Sequence, residues 1–243
     1  KVGAERMRIV SLPINVGAPA ARNWLAALPE VRDCDWFAYL DDDAMVPPDW
    51  LPRLGAAMQA YPGAGVYGCK VVGAQSPILI QSADLHLNAG GTELDANSEV
   101  NRNFQVSSLQ IQDFDYGQFN YIRPTLSVTG CCHLFKRELF DKVGGFDLRY
   151  SPSQYDDLEH DIRRAMGGDL PVYQGHLNVR HAKQTGKAAR LSQSQYSNAM
   201  GNLMKLQNRY TPDEFETARR NDEEAALEDI LRKEDVLKKN LAG

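Results

Sequence analysis

The chain has 243 residues, 43% of them hydrophobic and 24% charged, with a formal net charge of −5. That is the make-up of a folded domain with a sizeable core, and its acidic balance argues against a generic polyanion binder, so no nucleic-acid partner is expected. No run of about 18 apolar residues is available to span a membrane. The four cysteines, Cys34, Cys69, Cys131 and Cys132, fit neither a metal knuckle nor a disulfide frame; they read as buried thiols of a reducing compartment.

Taken in chain order, "RMRIVSLP" (6–13) predicts a short buried strand, and "APAARNWLAALPEV" a helix with apolar residues at helical spacing. "CDWFAYL" predicts a strand running into "DDD". "PPDWLPRLGAAMQAYPG" predicts a helix with Pro47 and Pro48 in its first turn and Pro62-Gly63 as its stop. "AGVYGCKVVG" is a further strand, and the alternation points to an α/β sheet covered by helices. Residues 74–126 change character: "ILIQSADLHLNAGG" and "FQVSSLQIQ" alternate apolar and polar, as exposed antiparallel strands do. "LSVTGCCHLFKRELFDKVGGF" predicts a buried strand and a short helix, "QYDDLEHDIRRAMGG" a helix, and "PVYQGHLNVRH" a strand ending at His181. A polar, basic loop follows. Thr211 and Glu214 form a capping box with Pro212 at the first helical position. The charged tail carries Leu227, Ile230, Leu231 and Leu241 on one stripe. This divides the chain into residues 1–190 and a helical extension, 191–243.

Three clusters carry chemistry. Asp41, Asp42 and Asp43 stand at the carboxyl end of a strand, where open α/β sheets bind ligands. Alternation lets Asp41 and Asp43 face one ligand while Asp42 turns away. Oxygen ligands suit Mg²⁺ or Mn²⁺ bridging a diphosphate; an acidic turn capping the next helix is the alternative. "YDDLEHDIRR" gathers Asp156, Asp157, Glu159 and Asp161. It is either a solvated helix start or the home of a general base. His181 ends a strand, as a surface histidine or as a neutral imidazole completing a metal shell.

The ordered set "NVGAPAARN", "YLDDDAMVPPDWL", "TGCCHLFKRELFDKVGGFD", "YDDLEHDIRRAMGG" and "VRH" resembles family 2 glycosyltransferases over about residues 7–185. The resemblance implies a GT-A-like (Rossmann-like) fold, a mixed and mainly parallel sheet flanked by helices. It also implies an inverting, metal-dependent transfer from a nucleoside-diphosphate sugar (UDP, GDP or dTDP) to a hydroxyl of a saccharide or glycoconjugate. "LDDDA" is similar to the family's DxD motif. Asp43 would bind Mn²⁺ or Mg²⁺, with Asp41 in the ribose or metal shell, Asp42 beside them and His181 completing the site. Asn15, Gly17, Ala21, Arg22 and Asn23 match the segment lining the nucleotide. Asp156 takes the place of the family's Glu, and Asp157 that of the catalytic Asp, the expected base. Gly130 and Cys131 match the acceptor side. The strand, helix and second strand with which relatives begin have no counterpart before Arg6, so the domain is read as N-terminally incomplete.

Beyond the family's motifs, Lys183, Lys187 and Arg190 are expected to fold over the diphosphate, with a solvated linker as the alternative. Trp50 and residues 74–126 are expected to set acceptor preference. In that segment Phe104, Phe114, Tyr116, Phe119 and Tyr121 either stack on sugars or belong to the core. The competing readings are a nucleotidyltransferase and an inactive transferase-like assembly module. The expected location is the cytoplasm, with peripheral membrane association and pairing of C-terminal helices between copies both left open.

Overall fold

The computed structural model describes residues 7–89, 104–107, 113–183 and 192–241. Strand β3 (Val66–Gly73) forms its centre, because every residue from Val66 to Val72 is buried and a strand apolar on both faces needs cover on both. The main sheet has the order β1 (Trp36–Leu40), β8 (Cys132–Lys136), β3, β9 (Val172–His181), β2 (Ala44–Met45). Strand β4 (Ile80–Ser82) lies beside β3, and β7 (Ile122–Pro124) beside β9. Strands β3 and β9 run parallel, with Gly73 level with His181; β1, β2, β4 and β7 pair antiparallel with their neighbours. The sheet is mixed and flanked by helices, as expected. A separate antiparallel pair, β5 (His86–Ala89) and β6 (Phe104–Ser107), supplies the excursion anticipated for residues 74–126.

On one face, Phe135 is fully buried within an aromatic cluster of Phe37, Tyr39, Phe140 and Phe146, with centroids 5.3–6.0 Å from it. Helices α1 (Ala18–Ala26) and α4 (Arg137–Val143) contribute Ala26 and Phe140 to it. Helix α3 (Trp50–Ala60) covers the other face with Leu54 and Ala57 against Cys69, Val71, Leu177 and Val179. A third cluster joins α5 (Asp156–Met166), α6 (Gln193–Gln207) and α7 (Pro212–Leu241) through Ile162, Leu206 and Phe215. Deleting a ring such as Phe135 from a core of this kind costs about 3–5 kcal/mol.

Several expectations are corrected. Residues 7–12 form no strand, and Met7 and Ile9 are 60% and 77% exposed. An extended segment needs a neighbour for its backbone groups, and among the described residues β1 pairs on one side alone, with β8. The first helix is split into α1 and α2 (Pro29–Arg32), because Pro29 disfavours a helical residue before it. Pro47 and Pro48 precede α3 rather than lying in its first turn. Cys34 is exposed, on the turn after α2, its thiol 3.1 Å from the Glu30 carbonyl; the other three cysteines are buried. Phe119 and Tyr121 pack against the core, whereas Phe114 and Tyr116 stand out at 47% and 81% exposure. The side chain of Phe104 lies outside the described residues.

The capping box is present: the Glu214 carboxylate accepts from the Thr211 backbone N–H at 2.7 Å and starts α7 at Pro212. That helix docks through Phe215, Ala218, Asp222 and Asp229, while Leu227, Ile230, Leu231 and Leu241 face water. Among the described residues no helix is long and apolar enough to cross a membrane.

Candidate active site

The acidic triplet follows β1 as a tight turn. The Asp41 N–H donates to the Cys131 carbonyl (3.1 Å), the Ala44 N–H to the Asp41 carbonyl (3.1 Å), and the Ala182 N–H to the Asp43 carbonyl (3.0 Å). The turn therefore locks onto the ends of β8 and β9, and Ala44 pairs with His181 across β2 and β9. Asp43 Oδ1 lies 3.0 Å from His181 Nε2. One ligand atom each from Asp41, Asp43 and His181 falls within 4.8 Å of the others. Asp42 is exposed and outside this cluster, the turned-away position that alternation assigned to it.

Gln81, which nothing in the sequence marked, aims His181. Its Nε2 donates to the carbonyls of Lys183 (3.1 Å) and His181 (3.4 Å), so its Oε1 faces His181 Nδ1 at 3.0 Å. That arrangement puts the imidazole proton on Nδ1 and leaves the Nε2 lone pair directed at Asp43. Two carboxylates and a neutral imidazole form a donor set that fits Mn²⁺ or Mg²⁺, Mn²⁺ the better for its tolerance of nitrogen. Burial raises the Asp41 pKa, and the negative charges of Asp43 and Asp157 add to it against the pull of Arg22 and, when it is protonated, of His181. A cation relieves that crowding.

Arg22, on α1, ties the two acidic clusters together. Its guanidinium donates to Asp156 at 2.6 Å, to the Gly130 carbonyl at 3.2 Å and to Asp41 at 3.4 Å. Asp156 is 2% exposed, and its carboxyl is raised to about 6 by burial and by Asp157, with Arg22 acting in the opposite direction. Asp157 is half-buried; its Oδ2 accepts from the Gly130 N–H at 2.8 Å and its Oδ1 from the Leu158 N–H at 2.9 Å. A Cβ on Gly130 would stand 2.8 Å from Arg22 and 3.1 Å from Asp157, so this glycine admits the close approach of both. One turn further along α5, Asp161 accepts from Ser127 Oγ (2.8 Å) and the Val128 N–H (3.2 Å), fixing the segment that leads to Gly130.

The chain enters α5 through two strained residues, Gln154 at φ 82° and Tyr155 at φ 68°. Such conformations cost about 1–3 kcal/mol each and persist where the surroundings enforce them. Asn202 of α6 does so, its Nδ2 directed at the carbonyls of Tyr150 (2.8 Å), Ser153 (2.9 Å) and Gln154 (3.2 Å).

Other expected site residues serve the frame. The Asn23 amide is engaged at both ends by the Phe146 backbone, at 2.7 Å each, so it anchors α1 rather than facing a ligand. Gly17 has φ +81° and packs on Pro152, with its N–H donating to Asn15 Oδ1 at 2.9 Å. Cys131 is 4% exposed in the core, and Trp50 is partly buried against that core. Lys183 is exposed beside His181; Lys187 and Arg190 lie outside the described residues.

The family description "Glycosyl transferase family 2" matches residues 3–144. The chain is 26% identical over 172 residues to the O-antigen biosynthesis protein RfbC of Myxococcus xanthus, a match covering 70% of the chain and 12% of that protein. The crystal structure of GalNAc-T7 with UDP, GalNAc and Mn²⁺ superimposes with a TM-score of 0.53 at 13% identity, covering 78% of this chain and 34% of that one. At that identity the likeness establishes a shared fold, the GT-A-like one expected. The chain spans about an eighth of the curated relative and a third of the structural one.

Proposed function

Because the chain belongs to glycosyl transferase family 2, we propose that it moves a sugar, with inversion, from a nucleoside-diphosphate sugar to a hydroxyl of a saccharide or glycoconjugate acceptor. The observation that carries this is the meeting of Asp41, Asp43 and His181 within 4.8 Å at the end of the sheet, joined through Arg22 to the Asp156–Asp157 pair. A Mn²⁺ or Mg²⁺ held there would neutralise charge on the departing diphosphate.

The chain's own residues divide the remaining work. Asp157, half-buried and oriented by the Gly130 N–H, takes the proton from the attacking hydroxyl, a contribution of about 10²–10⁴ in rate. Displacement from the face opposite the leaving group in one step inverts the anomeric centre. Asp156 stays beneath as the partner that keeps Arg22 in place. Gln81 holds His181 in the tautomer that can donate a lone pair. Lys183 borders the site as a candidate diphosphate contact. Residues 1–190 would form the transferase domain, with 191–243 packed on it as a helical extension.

O-antigen biosynthesis, named for the bacterial relative, supports a polysaccharide or glycoconjugate product. The UDP and Mn²⁺ of the structural neighbour make uridine the first nucleotide to try. Calorimetric titration with UDP, GDP and dTDP, with and without Mn²⁺, tests the proposal. Metal-dependent binding of one nucleotide, lost in Asp43→Ala and in His181→Ala, is the expected result. Binding of none of the three, or binding indifferent to metal and to both substitutions, rejects it.

A further inference from the structure

Strand β9 changes character halfway. Val172 to Gly175 are buried, after which His176, Asn178 and Arg180 are exposed in alternation with Leu177, Val179 and His181. The second half therefore presents one face to water, and that face runs to the end of the strand that carries His181, whose own side chain alternates to the buried side. Arg180 pairs with Met45 of β2, two residues beyond Asp43, and among the described residues its guanidinium has no partner.

Beside this open face stands a turn, residues 113–121, fixed to an unusual degree. At one end the Ile80 N–H donates to the Asp113 carbonyl at 2.9 Å and Phe114 bridges to Leu79. At the other, the Gly175 N–H donates to the Tyr121 carbonyl at 2.7 Å, and a Cβ on Gly175 would stand 1.9 Å from the Phe119 carbonyl. Within the turn, Gln118 accepts from the Tyr116 N–H (2.7 Å) and donates to the Phe114 carbonyl (2.9 Å). Beneath it lies Lys70, fully buried, its ammonium 2.7 Å from Asp115 and 2.6 Å from Asn120. Asn178 reaches the same Asp115 at 3.4 Å.

A buried lysine is costly unless paired. Here the pairing fixes a turn whose two aromatic rings sit 6.0 Å apart, Tyr116 largely in water and Phe114 about half so. Rigid aromatic faces next to amide and guanidinium donors have the chemistry of a sugar-binding surface: the rings take the C–H faces, and the donors take hydroxyls or a carboxylate.

We propose that the open face of β9, Asn178 and Arg180, together with the Phe114–Tyr116 turn, forms a track for an oligosaccharide acceptor leading to the candidate active site. The proposal rests on the transferase reading and adds the acceptor's size. Phe114 bridges to Leu79, whose carbonyl accepts from the N–H of Gly73, the residue level with His181, so the Phe114 backbone lies three strand spacings, roughly 14 Å, to the side of His181. That is farther than one pyranose ring spans, so the rings contact sugar units beyond the one that receives the transfer.

The test is an immobilised array of mono- to hexasaccharides, built from neutral, amino and uronic-acid sugars. It is probed with the wild-type chain, Tyr116→Ala, Phe114→Ala and Arg180→Ala. Nucleotide and Mn²⁺ titrations are run separately on the same preparations. The wild type is expected to retain chains of three or more units over single sugars. Each ring deletion should weaken retention about threefold to tenfold, and Arg180→Ala should weaken the anionic saccharides most. Tyr116 is mostly solvent-exposed, so Tyr116→Ala leaves the fold intact. Equal retention of single and longer saccharides, retention unchanged in both ring variants, or no retention by the wild type overturns the track. Loss of wild-type nucleotide binding is a different result and removes the transferase reading itself.

Discussion

Replacing Arg22 by methionine isolates what holds the two acidic clusters together. Met preserves much of the stem's volume and removes the charge from beside Asp156, whose side chain is 4% exposed. In the wild type, burial and the charge of Asp157 raise the Asp156 carboxyl to about 6 in the folded chain, above its unfolded value of about 3.9, while Arg22 holds it down. A raised carboxyl destabilises the fold increasingly as pH climbs from the unfolded to the folded pKa, and the penalty then levels off. In the wild type it levels off near pH 6. Without Arg22 the folded state keeps the proton beyond that point, so the penalty continues to grow by about 1.4 kcal/mol per pH unit. Between pH 6 and 7.5 this amounts to about 2 kcal/mol, added to about 1 kcal/mol at any pH for the lost hydrogen bond to the Gly130 carbonyl. Urea unfolding followed by tryptophan fluorescence should therefore show Arg22→Met weaker by about 1 kcal/mol at pH 5.5 and about 3 kcal/mol at pH 7.5. A difference of the same size at both pH values would refute the assignment of Arg22 as the group that keeps Asp156 ionised.

Other substitutions probe separate parts. Asp157→Asn should lower transfer by about 10²–10⁴ while nucleotide affinity stays within a factor of about two; loss of affinity in parallel would place Asp157 in nucleotide binding instead. His86 sits between Asp222 (3.0 Å) and Asp84 (3.1 Å), clasping β5 to α7. Burial lowers its pKa, but the two carboxylates outweigh that and lift it to about 9. Because the folded pKa is the higher one, the stabilisation is complete below about 6.5 and disappears as pH rises through 9. His86→Gln should cost up to about 3 kcal/mol at pH 6 and little at pH 9.5, and a thermal melt with a pH-independent difference would contradict this. Gly175→Ala drives a methyl group into the Phe119 carbonyl; it should destabilise by about 1–3 kcal/mol, and a neutral result would mean that the turn is not seated on β9.

The site was legible where chemistry and spacing coincide. Asp41 and Asp43 face one point because the tight turn that follows β1 folds Asp43 back beside Asp41, and His181 meets them because β9 runs parallel to β3. The sheet, the Gly-Gly helix stops and the capping box followed from local rules. What stayed hidden depends on contacts distant in sequence. Asn23 and Arg22 are neighbours in one motif, yet one anchors backbone and the other bridges carboxylates 19 and 134 positions away. Gln81 is an unremarkable polar residue in an alternating strand until β4 is laid against β3. Phe114 and Phe119 belong to the same short aromatic run; only the fold shows that one is exposed and the other packed. Residues 7–12 have a strand's pattern, but pattern cannot supply a pairing edge.

The clasp of Asn202 on the loop before α5 has a consequence for modularity. The motifs that define the family end before α6, yet the residue that fixes the approach to Asp157 lies within that helix. The helical extension cannot be exchanged for an unrelated tail without disturbing Asp157, the proposed base, unless an amide comes with it at this position. Within a longer polypeptide a pull on the C-terminal helices would reach the strained loop through the Asn202 amide and α5 through the shared Ile162–Leu206–Phe215 cluster, and so bear on Asp157 from both sides.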